Sequence, residues 1–522
     1  MKWIEPQPVS ASDEITNAFG SRIILAEQLT RRGIDSGMQA QAYLNPHTYR
    51  QSSPYEFKDM GKAVERIEQA IREKEHIGIW GDFDVDGQTS TALLLQGLRD
   101  IGAKVSYHIP VRARESHGIQ KKYLQEFMTQ GIDLLITCDT GISEVEALGY
   151  AAEQGLDVIL SDHHTPPKRL PPAYAIINPK LLPENHAMSQ LAGVGAAFQI
   201  IRALYEKKGM GETCASFYDL VALGTIADLA ELRMENRFYA QMGLQQMRED
   251  LRPSLDALLT SADYRGTAIS ESLIGFTIGP RLNAVGRLDD ANLNVEFLLS
   301  SDTDYLSKTA GRLEELNTRR KLAMEDVYQS ARNMLEQEPQ LQNFTALVLA
   351  KAGWEKGVVG IAASRLVDEF NKPVILLNIS AGQAAGSVRS VESINIIQAI
   401  TENARFLDSF GGHPMAAGLA LQVENLPAFR SALSRTIKQT YGEAPPEKEL
   451  QIDSYLPLSN LNMELIKEID ALAPFGNGNP PPVLVTRNLE VNHTAKLGKK
   501  DLHKRISVQN QQGEKQEVLW WN

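Results

Sequence analysis

Apolar positions change their period along the first 180 residues of the chain. Over residues 63–71 they fall at helical spacing, as Ala63, Val64, Ile67, Ala70 and Ile71. From residue 76 onward, short unbroken apolar runs alternate with longer amphipathic stretches. The runs predict strands over 76–80, 104–109, 132–138, 156–160 and 173–177, and the stretches predict helices over 90–101, 121–130 and 144–154. Strands that alternate with helices of this length make βαβ units and a parallel sheet. Unbroken apolar runs mean that both faces of the sheet are covered. Residues 1–75 read mostly as helices and loops.

Residues 190–300 look mainly helical, with a helix over 217–227 and a loop over 279–290. Residues 303–337 form one long helical pattern dense in charge, including Arg312, Glu314, Glu315, Arg319, Arg320 and Lys321, able to span two domains. A second α/β unit follows, with strands over 345–350, 373–379 and 419–423 and helices over 358–370, 394–410 and 426–440. Residues 444–449 (APPEKE) read as a linker. The remainder reads as a small, incomplete β-domain ending after Leu519-Trp520-Trp521. The expected division is 1–75 (helical segment), 76–300 (first α/β domain), 301–340 (connecting helix), 341–443 (second α/β domain) and 450–522 (β-domain). The expected fold class is α/β: a parallel-sheet domain and a second α/β domain joined by a long helix, plus a small, incomplete β-domain.

A length of 522 residues suits about three domains. Hydrophobic content of 43% and charged content of 23% fit an ordinary globular chain. MKWIEPQPVSASDE lacks a basic segment followed by an apolar one, so no signal peptide is expected, and no apolar stretch reaches membrane-spanning length. The only two cysteines, Cys138 and Cys214, exclude a disulfide framework and a thiolate zinc site and fit a reducing cytoplasm. Cys138 beside Asp139 is read as a packing residue rather than a nucleophile. A net charge of −12 argues against a nucleic-acid partner only globally, because binding depends on a local patch. Arg487, Lys496, Lys499, Lys500, Lys504 and Arg505 form a candidate patch, or simply a solvated hairpin.

The chemistry is concentrated where apolar runs stop. Asp162-His163-His164 follows the run 156–160, Asp82-Phe83-Asp84-Val85-Asp86-Gly87 follows 76–80, and Asp139 follows 132–138. Asp228 is expected at a similar strand end. In a parallel sheet those carboxyl ends lie side by side, where open α/β sheets place their ligands. D-x-D-x-D-G also opens a calcium EF-hand loop, but the twelfth position is Leu93 and a strand precedes the motif. Each cluster has a plain alternative: turn-forming aspartates, a helix N-cap at Asp139, and one core plus one exposed histidine. Together they make a mixed carboxylate and imidazole site that suits a pair of Mn²⁺ or Mg²⁺ ions, with Asp139 bridging. Two further segments, Gly386-Ser387-Val388-Arg389-Ser390 and Gly411-Gly412-His413, read as glycine-rich loops of a phosphate-binding lobe.

The order GDFDVDG, TCDTGIS, SDHH and LGTIAD resembles the motifs of the DHH phosphoesterase superfamily. GVVGIAASRL, GSVRS and FGGHPMAAG resemble its DHH-associated second domain. GPRLNAVGRLDD and LAPFGNGNPPPVL resemble, within it, the RecJ-type single-strand-specific exonucleases and their OB domain. The resemblance implies a metal-dependent 5′→3′ exonuclease that cuts single-stranded DNA to mononucleotides in recombination and repair. Single-strand-binding protein and a helicase are the implied partners. It implies metal ligands among Asp82, Asp84, Asp86, Asp139, His163 and Asp228. His164 is expected to face the scissile phosphate and Asp162 to orient a histidine. Arg112, Arg281, Ser387, Arg389, Gly412 and His413 are expected to bind substrate. The chain departs from the family pattern at Glu355, at Val388 and at Ser116-His117-Gly118. A DHH phosphodiesterase acting on short oligonucleotides or cyclic dinucleotides is the alternative.

Overall fold

The computed structural model describes residues 2–20, 22–115, 118–266, 268–442, 447–498 and 501–521. Ser116, His117, Lys499, Lys500 and residues 444–446 of the expected linker lie outside them.

The first domain is built on a five-stranded, all-parallel sheet. Its strands run in the order Lys104–His108, His76–Trp80, Leu134–Thr137, Asp157–Ser161, Ala175–Ile177. Alternate side chains enter two different cores, as the pleat requires. Ile77, Ile79, Leu134, Ile136 and Ile159 pack with helices Val85–Asp100 and Gly193–Lys207. Trp80, Leu135, Val158 and Leu160 pack on the other face with Leu124, Phe127 and Leu148 of Lys121–Met128 and Val145–Glu153. Both faces are therefore covered, as the unbroken apolar runs required.

Four expectations need correction. Helix Val85–Asp100 starts five residues before the expected 90, because Asp84 caps it through Gly87 N. Residues expected as a loop at 279–290 form helix Gly279–Leu288, led in by a π-helical turn Ile274–Ile278. Its apolar positions Leu282, Ala284 and Val285 are fully buried, and that burial overrides the local Gly-Pro signal. Residues 394–410 are not one helix but Ile396–Thr401, a 3₁₀ turn and strand Ser409–Gly412. The N-terminal region also holds a strand, Lys2–Ile4, paired in parallel with Glu449–Gln451.

The helix Thr303–Gln337 spans about 50 Å at 1.5 Å per residue, and its bounds match the expected ones. It leads into a second, mixed five-stranded sheet in the order Ser409–Gly412, Ala416–Gln422, Gln383–Arg389, Val374–Ser380, Leu347–Ala352. Helix Val359–Phe370 covers one face and helix Leu426–Tyr441 the other. Beyond residue 450, a two-stranded pair and a three-stranded antiparallel sheet (Glu490–Leu497, His503–Gln509, Lys515–Trp520) accompany helix Met463–Asp470. Among the described residues no helix is long and apolar enough to cross a membrane.

Candidate metal centre

The loop Gly81–Asp84 leaves strand His76–Trp80 and turns into helix Val85–Asp100, which places Asp86 inside that helix's first turn. The buried Asp86 carboxylate accepts hydrogen bonds from Gly193 N (2.7 Å) and Val194 N (2.8 Å). These are first-turn donors of helix Gly193–Lys207, which have no partner within their own helix. Two glycines permit the approach: a Cβ on Gly193 would lie 2.7 Å from Asp139 Cβ, and one on Gly224 would lie 2.8 Å from Asp86 Oδ1. Helix Gly279–Leu288 braces the same loop from the other side. Asn283 Oδ1 accepts from Val85 N (3.2 Å), and Gln88 Nε2, which donates to Phe83 O of the loop (2.7 Å), also donates to Leu282 O of the bracing helix (3.4 Å).

Asp139 ends its strand in the left-handed region at φ 59°, and its carboxylate is buried. His163 Nε2 lies 3.0 Å from Asp139 Oδ1 and 3.9 Å from Asp86 Oδ2, while its Nδ1 lies 3.9 Å from Asp228 Oδ2. Asp228 caps the C-terminus of helix Tyr218–Ala227, so the expectation of a strand end there is corrected. A helix end can point a carboxylate at the sheet's edge as well as a strand can. The buried Asp162 carboxylate accepts from Ile142 N, His163 N, His164 N and His164 Nδ1. The His163 side chain is 16% exposed and that of His164 is 48% exposed, so only His164 opens to the cleft.

The donors fall into three overlapping groups whose ligand atoms lie within 4.8 Å of one another: Asp139/His163/His164, Asp86/His163/Asp228 and Asp82/Asp84/Asp139. Asp139 and His163 are each shared between two groups. Burial, then the Asp84 charge, pushes the Asp82 carboxyl up to about 8 and the Asp228 carboxyl up to about 7. Burial and neighbouring carboxylates raise Asp86 and Asp139 well above the usual range. Burial and then His164 depress His163 to about 3, leaving a neutral imidazole. Asp139 Oδ1 is buried and accepts no hydrogen bond, although His163 Nε2 is 3.0 Å away. Two donors bound at right angles about 2.1 Å from one ion would stand about 3 Å apart. A crowd of buried and half-buried carboxylates with an orphaned oxygen and a neutral imidazole fits divalent cations, which remove the repulsion.

Cations from both domains approach this acidic floor. The Arg112 guanidinium lies over the Phe83 ring at 5.0 Å. Burial, then Arg112, Arg320 and Arg389, depress Arg287 to about 10. Among the described residues none of these four makes an ion pair with a carboxylate. Ser387 and Arg389 lie on strand Gln383–Arg389, not in the expected loop, and face the start of helix Val359–Phe370. A Cβ on Gly360 would lie 2.9 Å from Arg389 Nη2 and 3.3 Å from Ser387 Oγ. Val388 points the opposite way into the core and is fully buried. Gly412 ends strand Ser409–Gly412 rather than lying in a loop. It pairs with Ala417 in a register that sets Ala417 against Val388. His413 follows it and is exposed.

Arg281 is placed differently from the expectation. It is 7% exposed, its Nε donates to Glu314 at 2.5 Å, and its Nη1 donates to Thr277 O. Burial and then Arg281 depress Arg320, so Arg281 still lies close to the cation cluster. Arg287, six residues on, joins the same cluster and donates to Gly357 O of the second domain at 3.1 Å. The sequence reading did not single out Arg287, Arg320 or Gly193, although Arg287 lies in the same GPRLNAVGRL segment as Arg281. In the candidate basic patch, Arg487 is bonded to Glu5, Lys496 pairs with Asp501 and Arg505 with Glu517. Cys138 is buried beside Thr91 Oγ1, and burial pushes its thiol up to about 12, as befits a packing residue.

Family models place a "DHH family, N-terminal domain" over residues 76–225, a "DHHA1 domain" over 342–439 and a "RecJ OB domain" over 452–522. The single-stranded-DNA-specific exonuclease RecJ of Bacillus subtilis is 37% identical over 98% of this chain, which spans 64% of that protein's length. The RecJ of Haemophilus influenzae is 33% identical over 88% of this chain and 83% of its own. The crystal structure of RecJ in complex with Mn²⁺ from Thermus thermophilus superposes with a TM-score of 0.84 at 28% identity, over 100% of this chain and 74% of that one. The motif order, the site geometry and these likenesses agree: the chain belongs to the RecJ family of single-stranded-DNA-specific exonucleases.

Proposed function

We propose that the chain hydrolyses single-stranded DNA from its 5′ end to mononucleotides, using Mn²⁺ or Mg²⁺, in cytoplasmic DNA recombination and repair. One observation carries the reading. A floor of buried and half-buried carboxylates and His163 lies beside guanidiniums from both domains that, among the described residues, pair with no carboxylate outside the site. Such an arrangement takes divalent cations below and the phosphates of a strand above. Solved RecJ structures with Mn²⁺ and with Mg²⁺ support the choice of ion.

Asp82, Asp84, Asp86, Asp139, His163 and Asp228 are the residues that would hold a pair of ions. When bound, the ions lower the pKa of water and stabilise charge on the leaving oxygen. Asp86 is held by two backbone donors and keeps its carboxylate oriented before substrate arrives. Asp162 holds His164 by Nδ1, which leaves Nε2 free for a phosphate oxygen. Burial opposes charge on His164, but the Asp162 hydrogen bond raises it to about 9, so Nε2 carries a proton near neutrality. In the reaction a water oxygen bonds to phosphorus and the P–O3′ bond breaks, which yields a 5′-mononucleotide. Arg112, Arg287 and Arg389, with Ser387, are suited to grip the 5′-terminal phosphate. Gly412 and His413 border the same end of that sheet. Single-strand-binding protein and a helicase are the partners this activity calls for.

The test is to incubate the protein with single-stranded DNA labelled at either end, with Mn²⁺ or Mg²⁺, beside an Asp139→Ala control. Metal-dependent release of mononucleotides from the 5′ end, absent in the control, is the expected result. Hydrolysis confined to di- to pentanucleotides or cyclic dinucleotides would overturn it in favour of a small-substrate phosphodiesterase.

A further inference from the structure

The segment Leu472–Leu484 looked like part of a nucleic-acid-binding module, yet its glycine-rich turn is docked against the residues that follow Asp228. Asn477 Nδ2 donates to Leu229 O at 3.0 Å, and Asn477 O accepts from Leu232 N at 2.7 Å. Arg233 Nε donates to Gly478 O at 3.0 Å. Gly478 has φ 72°, and a Cβ there would come within 3.0 Å of Glu231 Cβ, so the turn is closely fitted to this stretch.

Leu229 is the unusual member of the pair. It holds φ 59°, a region that branched side chains rarely adopt, and its side chain is 69% exposed. Packing therefore does not hold it there. Hydrogen bonds to its backbone and its neighbour's do: Leu229 N donates to Ile226 O and Ala230 N to Thr225 O, each at 3.2 Å, and Leu229 O accepts from the Asn477 side-chain amide. The neighbouring Asp228 carboxylate belongs to the donor group with Asp86 and His163. Strained backbone beside a functional group persists only where its surroundings over-determine it.

We infer that Asn477 is a positioning residue for the metal centre: from the C-terminal region it holds the Leu229 carbonyl, and through that strained residue it fixes the Asp228 carboxylate. The inference rests on Asp228 as a ligand in the nuclease proposed above. The residues beyond 450 then complete the hydrolytic site instead of serving only to collect DNA. The GNGN sequence is accounted for by this task. Its glycines let the turn lie flat on residues 229–233, and its first asparagine supplies the amide donor.

The experiment measures Mn²⁺ binding to the full chain, with free Mn²⁺ counted by its electron paramagnetic resonance signal. Asn477→Asp keeps the size and turn preference of asparagine and removes the donor; Asn477→Ala removes the whole group. Both should weaken the isotherm roughly 3- to 30-fold, in the range seen when partners of metal ligands are lost. Thermal unfolding in the absence of metal should stay near that of the unmodified chain. Leu229→Gly, which makes the left-handed conformation readily accessible, should restore part of the affinity when added to Asn477→Asp. An unchanged isotherm in the folded Asn477 variants would overturn the inference, and so would a loss that Leu229→Gly leaves unrepaired. Mn²⁺ binding that behaves as expected in a chain that does not cut DNA would sink the nuclease reading alone.

Discussion

His164 Nδ1 lies 2.7 Å from Asp162 Oδ1, and the same oxygen also accepts the backbone N–H groups of His163 and His164. One buried carboxylate thus fixes both the peptide and the ring of the most exposed residue of the centre. Asp162→Ala should lower kcat by about 10- to 100-fold. The concentration of Mn²⁺ needed for half-maximal activity should move less, because Asp162 bonds only the backbone N–H of His163, whose ring rests against Asp139. Equal losses in kcat and metal affinity would show that Asp162 supports the whole centre and not His164 in particular.

Gly193 gives the helix N-terminus room to reach Asp86 and Asp139. Gly193→Ala would set a methyl 2.7 Å from Asp139 Oδ1, closer than real contacts allow. The expected result is loss of Mn²⁺ binding with a modest stability cost, about 1–3 kcal/mol for overpacking. Calorimetric titration with Mn²⁺ beside thermal unfolding separates the two effects. Retained metal binding would mean that the helix end simply slides back.

Metal removal should make stability depend on pH. The Asp82 and Asp228 carboxyls have folded values raised to about 8 and about 7, above a usual value of 3.8. Their contribution is fully present below about pH 4 and is lost as pH rises through 7 to 8. His164, raised to about 9, acts in the same sense, whereas His163, depressed to about 3, opposes it only below about 6.5. Metal-stripped protein should therefore melt at a lower temperature at pH 8.5 than at pH 6.5. Added Mn²⁺ binds the deprotonated carboxylates and should raise the melting temperature more at pH 8.5. A melting temperature that climbs with pH in the stripped protein would contradict this account of the site.

Arg281 and Arg287 share one helix and should fail differently. Arg287→Ala removes a guanidinium from the cation cluster, and KM for 5′-phosphorylated DNA should rise about tenfold or more. Arg281→Ala breaks the buried contact with Glu314 of the long helix and should lower stability, with KM little changed. Steady-state kinetics and unfolding curves on both variants decide the matter. A KM effect confined to Arg281→Ala would reverse the assignment.

Much of the architecture could be read from periodicity. The parallel sheet, the long helix Thr303–Gln337 and helix Leu426–Tyr441 follow from local spacing, since runs and stripes report which faces are buried. Residues 279–290, expected as a loop, are largely helix, because burial of Leu282 and Val285 outweighs the local preference of the Gly-Pro pair. Val388 departs from the family pattern, but strand alternation turns it into the core and leaves Ser387 and Arg389 on the other face.

The chain alone determined which donors exist and that most of them stand at strand ends: Asp82 to Asp86, Asp139 and Asp162 to His164. It could do so because strand periodicity and chain reversal are short-range properties. Tertiary structure decided the rest. It paired Arg281 with Glu314 and carried Arg287 to Gly357 O, brought Asp228 in from a helix end, set Gly193 against Asp86, and laid Asn477 on Leu229 across 248 positions of sequence. Those choices depend on donors, acceptors and excluded volume meeting across separate elements, and no local pattern carries that information.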